Sequence, residues 1–101
     1  MAEVQFSLDA RNDLLSIITW LIENRSPTVA SGYEAKFIGA IQRLGEFPGS
    51  GAPRPALGSN IRIVIVAPYL VIYRGEANSE IVEIVRIIHG RRNITAQSLL
   101  A

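Results

Sequence analysis

The sequence predicts an α+β domain with the element order β-α-α-β-β-β, a helical hairpin packed on a small antiparallel sheet. Three observations carry this. Between Ile61 and Arg92 lie three runs dense in Ile, Val and Tyr, separated by Ala67-Pro68 and by Gly75-Glu76-Ala77-Asn78-Ser79. β-branched and aromatic residues bounded by turn formers read as strands, and gaps this short connect only antiparallel neighbours. Ahead of them, two stretches repeat apolar residues at helical spacing, joined by a link too short for anything but an antiparallel helix pair.

In chain order, Ala2 to Ser7 alternates Val4 and Phe6 with Glu3 and Gln5, a short strand. Ser7 or Asp9 can cap the first helix. Leu14, Ile17, Ile18, Leu21 and Ile22 fall on one helix face, with Asn12, Ser16, Thr19 and Glu23 opposite. Trp20 lies on the flank of that stripe, so it is either a core-edge residue or an exposed anchor for a partner. Ser26 is a natural N-cap for the second helix, and Pro27 suits its first position. Val29, Ala30, Tyr33, Phe37, Ala40, Ile41, Leu44 and Phe47 make the second stripe, with Ile38 off it. The Pro- and Gly-rich segment 47–60 reads as a structured loop, followed by strands over about 61–66, 69–74 and 80–88. The tail 93–101 can add a helical turn.

Alternation sets Ile61, Ile63 and Ile65 against Arg62, Val64 and Val66 on the first of these strands. On the last it sets Val82, Ile84, Arg86 and Ile88 against Ile81, Glu83, Val85 and Ile87. Neither face is polar, so both need cover. With the hairpin on one face, the expected open face carries Val64, Val66, Val82, Ile84 and Ile88 with Arg62 and Arg86. An apolar groove rimmed by arginines suits an acidic, amphipathic segment of another chain. The alternative is that arginine stems and loop 48–60 cover this face within the monomer.

Length and composition set the frame. The 101 residues suffice for one domain, spanning 1–101. A hydrophobic content of 49% and a mean hydropathy of +0.25 are high for so small a chain, which points to apolar surface covered by a partner. The net charge of +1 carries no general nucleic-acid signal, and no direct sequence-specific nucleic-acid binding is expected. Nine of the ten basic residues are arginine, the residue of bidentate recognition and interface ion pairs. There is no cysteine and no signal-like N-terminus, and the apolar stretch 63–73 is too short to span a bilayer. A cytoplasmic protein without membrane association is expected. His89 is the sole histidine, and the carboxylates are scattered, so neither a metal site nor a cofactor is expected. Asp9 and Asp13 read as helix-start residues, and the glycines of 47–58 do not form a nucleotide loop.

Several linked features resemble one family. They are Ala10 through Ile22 as a first helix, Pro27 with Ala30 opening the second, and Leu44, Phe47-Pro48 and Gly51 closing it. Leu57-Gly58, Arg62, Tyr69, Tyr73 and the run Val85-Arg86-Ile87-Ile88-His89-Gly90-Arg91-Arg92 follow. In this order they resemble the ParE-type toxins of the ParE/RelE superfamily, the toxic halves of bacterial toxin–antitoxin pairs. The resemblance implies the fold already reached from periodicity. It also implies a function: binding and blocking DNA gyrase, with neutralisation by a cognate ParD-like antitoxin in a hetero-oligomeric complex.

The RelE-like branch of the superfamily instead cleaves messenger RNA on the ribosome, and it is the alternative. Such cleavage needs a base, cations for the phosphate charge and an acid for the leaving oxygen. Leu70, Ile61 and Ile63 stand where that branch places cations, so no catalytic residue is assigned. The expected antitoxin contacts are Arg62, Val64, Val66, Ile84 and Arg86. The expected target contacts are Trp20, His89, Arg91 and Arg92.

Overall fold

The computed structural model describes residues 1–91 and Leu99. The elements are β1 (Glu3–Phe6), α1 (Leu8–Asn24), α2 (Pro27–Glu46), β2 (Ala52–Pro53), a single 3-10 turn (Pro55–Leu57), β3 (Ile61–Val66), β4 (Tyr69–Arg74) and β5 (Ile81–His89). The strands form one five-stranded sheet in the order β1-β5-β4-β3-β2. The expected α+β architecture stands, with two additions. Two residues of the 47–60 loop pair with β3 as β2, and β1 joins β5 in parallel, so the sheet is mixed. A parallel neighbour requires a long crossover, and the helical hairpin between β1 and the rest of the sheet supplies it.

Local chemistry sets the helix boundaries. The Ser7 hydroxyl accepts the Ala10 N–H at 3.0 Å, capping α1, and donates to the Val85 carbonyl at 2.8 Å, docking the start of α1 on β5. Ser26 accepts the Val29 N–H at 3.1 Å, with Pro27 at the first helical position of α2. The two helices cover one sheet face. Phe37 and Leu44 from α2 and Ala10 from α1 pack there against Val71, Tyr73, Val82, Ile84 and Ile87, all essentially buried.

The orientation of the sheet reverses the expected one. Val66 and Ile84 are buried under the helices and Val64 packs half-buried beside them, so none of these three lies on an open face. The outer face instead carries Ile61, Ile63, Ile72, Val85 and Ile88, against which Leu57, Leu70 and Leu99 pack. Alternation grouped the β3 residues correctly, but two apolar faces give no signal for which one meets the helices. On β5, strict alternation itself fails. Ile72 pairs with Arg86 while the adjacent Tyr73 pairs with Ile84, a β-bulge that inserts one residue. Ile84 and Ile87 therefore share the helix side, whereas Val85 and Ile88 share the outer side.

Arg62 and Arg86 do not rim the expected apolar groove of Val64, Val66 and Ile84, which lies under the helices. Arg62 donates to the carbonyls of Gly75 (3.3 Å), Gly49 (3.1 Å) and Gly51 (2.9 Å), tying the loop after α2 to the sheet. Arg86 is held by Asp13 of α1 at 2.7 and 3.1 Å, and the same carboxylate accepts the Ile87 N–H at 3.0 Å. The Asp13 hydrogen bond raises Arg86 above its already high pKa, against the opposing effect of burial, so the guanidinium is charged throughout the working range. Both arginines are spent on the fold. The helix-stripe reading holds for Leu21, Ala30, Phe37 and Leu44, which are buried, and for Ile38, which is exposed. Ile22 and Phe47, placed on the stripes, are about half exposed.

Candidate functional site

At one end of the molecule, the last turn of α1, the first turns of α2 and the β3–β4 turn enclose a cavity of about 320 Å³. Trp20, Leu21 and Arg25 line it from α1 and its C-cap, Val29 and Tyr33 from α2, and Pro68, Tyr69 and His89 from the sheet. The walls follow from the sequence locally. The Asn24-Arg25-Ser26-Pro27 link turns the chain so that α2 starts beside the end of α1. The Ala67-Pro68 peptide, which is cis, turns β3 into β4 so that Tyr69 opens the strand directly opposite His89.

Tyr69 is the centre of the aromatic packing. Its ring meets Tyr33 edge-on at 5.8 Å and His89 edge-on at 5.8 Å, and tilts against Phe37 at 5.7 Å. These separations and angles are those at which aromatic pairs attract beyond simple burial. Burial pushes the Tyr69 hydroxyl above its ordinary pKa. The neighbouring Tyr33 adds to the rise and Arg25 pulls it part way back. The phenol is therefore neutral at working pH, a hydrogen-bond group and not a base.

His89 Nδ1 accepts the Arg91 N–H at 3.1 Å, which leaves the proton of the neutral ring on Nε2. The turn after it is tight: Gly90 donates to the Pro68 carbonyl at 2.7 Å, and a Cβ there would lie 3.0 Å from that oxygen. Trp20 is 52% exposed, so its ring forms a wall of the cavity and not part of the core. Two residues singled out from opposite ends of the sequence, Trp20 and His89, thus line one cavity. Arg91 is exposed two residues beyond His89, while Arg92 lies outside the described residues.

Sequence reasoning missed Arg25, Val29, Tyr33, Pro68 and Tyr69 as members of this site. In the sequence Tyr33 is one residue of the second apolar stripe, and Arg25 stands in the short link between the helices with no pattern of its own. A usable signal was the hairpin closing on 75–80, which sets Tyr69 opposite the end of β5. Chemically, aromatic walls with an arginine at the rim can hold an apolar or aromatic side chain next to an acidic one. Trp, Tyr and Arg are the residues that dominate binding energy at interfaces. Among the described residues no three His, Asp or Glu side chains cluster as metal ligands. Nor is any described helix long and apolar enough to cross a membrane.

The family model for the ParE toxin of the type II toxin–antitoxin system parDE matches residues 4–94. The chain belongs to the ParE toxin family. It is similar to Toxin ParE3 of Caulobacter vibrioides, at 36% identity over 85 residues, covering 84% of this chain and 83% of that relative. The fold is similar to a solved structure of a chromosomal ParDE toxin–antitoxin system from P. aeruginosa. That likeness has a TM-score of 0.72 and 20% identity, covering 88% of this chain and 96% of the other. The matched stretch, residues 4–94, contains both the aromatic cavity and the Asp13–Arg86 pair.

Proposed function

We propose that this ParE-family toxin acts by binding DNA gyrase, without covalent chemistry of its own, and that a ParD-like antitoxin neutralises it in a cytoplasmic hetero-oligomer. The observation that carries this reading, beside family membership, is the fate of the strand cations. Arg62 is hydrogen-bonded to three carbonyls and Arg86 is paired with Asp13. Phosphate-charge stabilisation requires cations free to meet the substrate, and each missing contribution costs orders of magnitude in rate. Binding requires less: a few aromatic anchors and one or two arginines carry most of an interface's energy. The cavity of Trp20, Tyr33, Tyr69 and His89, with Arg25 and the exposed Arg91 beside it, fits that requirement.

The deciding experiment runs two assays side by side on the purified toxin: gyrase supercoiling, and primer extension on ribosome-engaged messenger RNA. Inhibited supercoiling, relieved by the antitoxin, is the expected result. Codon-specific cuts with unaffected supercoiling would move the protein to the ribonuclease branch.

A further inference from the structure

The aromatic cavity is one-sided in its polar chemistry. Leu21 and Tyr69, 3% and 8% exposed, form its floor, with Trp20, Tyr33 and His89 as flat walls and the exposed Arg25 at the rim. The Trp20 indole and the Arg25 guanidinium are donors only, and the tyrosine hydroxyls can donate. The His89 ring, whose Nδ1 accepts the Arg91 N–H at 3.1 Å, presents Nε2–H. Backbone acceptors of the lining are already engaged. The Trp20 carbonyl takes the Asn24 side-chain amide at 3.0 Å, the Leu21 carbonyl the Arg25 N–H at 2.9 Å, and the Pro68 carbonyl the Gly90 N–H at 2.7 Å. Among the described residues that line the cavity there is no carboxylate. Burial raises the Tyr69 hydroxyl's pKa and the Arg25 charge opposes it, so that charge is felt inside the cavity.

Donors and a positive charge, with the acceptors engaged, call for an occupant that accepts hydrogen bonds and is negative. The volume and the walls narrow it further. About 320 Å³ lies at the small end of the roughly 300–1,000 Å³ of ligand sites, the space of about ten waters at ~30 Å³ each. That admits one ring with a short acidic arm and excludes a helix or a nucleotide. Faces and edges of Trp20, Tyr33 and Tyr69 attract a further aromatic ring beyond its simple burial. A single guanidinium at the rim pairs bidentately with a carboxylate, charge for charge, whereas a phosphate dianion would keep half of its charge unmatched.

We propose that this cavity binds a small aromatic carboxylate, its ring held between Trp20, Tyr33 and Tyr69 and its carboxylate paired with the Arg25 guanidinium. The site lies within the surface that the target reading uses, but its test needs neither gyrase nor antitoxin, so the two fail separately. Trp20 is the sole tryptophan of the chain, so its fluorescence reports on the cavity alone. The purified chain is titrated with phenylacetate. Beside it run phenylacetamide, which keeps the ring without the charge, cyclohexylacetate, which keeps the charge without the aromatic ring, and phenyl phosphate. The side-chain NMR signals of Tyr33, Tyr69 and His89 give a second readout in the same titrations. Expected are saturable changes in both readouts for phenylacetate, with a Kd on the order of 1 mM. The amide should bind about tenfold more weakly and cyclohexylacetate about threefold more weakly. Arg25→Gln should weaken phenylacetate about tenfold and leave phenylacetamide unchanged, and Arg25→Lys should retain part of the preference for the acid. The Arg25 side chain is exposed and its backbone N–H makes the α1 C-cap, so circular dichroism and the thermal midpoint of both variants should match wild type. Equal affinity for acid and amide, or an Arg25→Gln protein that still prefers the acid, overturns the proposal. So does cyclohexylacetate binding as tightly as phenylacetate, or phenyl phosphate binding more tightly. No saturable change in either readout removes the site.

Discussion

Replacing Tyr73 by Phe tests how the loop after α2 is held. Tyr73 is fully buried near the end of β4. Its hydroxyl donates to the Pro48 carbonyl at 2.8 Å and accepts the Gly51 N–H at 2.8 Å. Both loop residues are buried, so neither backbone group turns to water when the oxygen is removed. Each unsatisfied buried group costs about 1–3 kcal/mol, while the ring keeps its packing. Arg62 still holds the Gly49 and Gly51 carbonyls, so the loop stays anchored and the expected loss is about 2–4 kcal/mol. For a domain this size that lowers the thermal midpoint by roughly 10–20 °C. Urea denaturation followed by fluorescence measures it directly, and a loss below about 0.5 kcal/mol would refute the reasoning. A second arm uses pH. Burial raises the Tyr73 hydroxyl above its ordinary pKa, with the Gly51 N–H and Arg62 pulling it part way back. A raised folded-state pKa means that this stability is fully present below about pH 10 and is lost as pH climbs beyond it. Tyr73→Phe should flatten part of that alkaline decline, leaving the share due to Tyr69, which is raised in the same direction. Gly51→Ala attacks the same contact from the other side, since a Cβ there would lie 2.5 Å from the Tyr73 hydroxyl oxygen.

Three other perturbations have distinct outcomes. Leu44→Ala, at a fully buried position of α2, should cost about 2–5 kcal/mol in chemical denaturation; a loss under about 0.5 kcal/mol would place that side chain outside the core. Asp13→Ala strands a largely buried guanidinium and the Ile87 N–H, with an expected cost of about 2–3 kcal/mol, and an unchanged midpoint would show that Arg86 finds water instead. Trp20→Ala should leave the thermal midpoint nearly unchanged while weakening gyrase inhibition at least about tenfold. Full potency in the supercoiling assay would remove the cavity from the target interface.

Much of the fold was legible because the elements carry strong local signals. Ser7 and Ser26 as caps, Pro27 at a helix start and the turn residues between the strands each act within a few residues of themselves. The orientation of the sheet was not legible, and the reason is physical. Period-two alternation assigns residues to faces only up to a choice of face, and a polar face normally makes that choice. Here both faces are apolar, so Val64 and Val66 could be grouped together but not placed. The bulge after Ile84 removed even the grouping on β5, because an inserted residue leaves no mark in a run of Ile and Val.

The same error decides how the arginines should be read. On an open face, Arg62 and Arg86 would be free cations, available to an acidic partner or a phosphate. In the fold they act through long-range contacts, Arg62 to the loop at residues 49–51 and Arg86 to Asp13 on the first helix. No spacing rule in the sequence announces such pairs. Arg25 and Arg91 are the reverse case: in the sequence they look like a helix break and a basic end, yet one rims the cavity and the other is exposed close beyond His89. Arg25 and Arg91 therefore lie beside the aromatic cavity, whereas Arg62 and Arg86 are held by contacts within the fold. An exposed tryptophan and two tyrosines at that cavity favour a protein surface as the thing recognised, because flat aromatic side chains and arginine are what interfaces select.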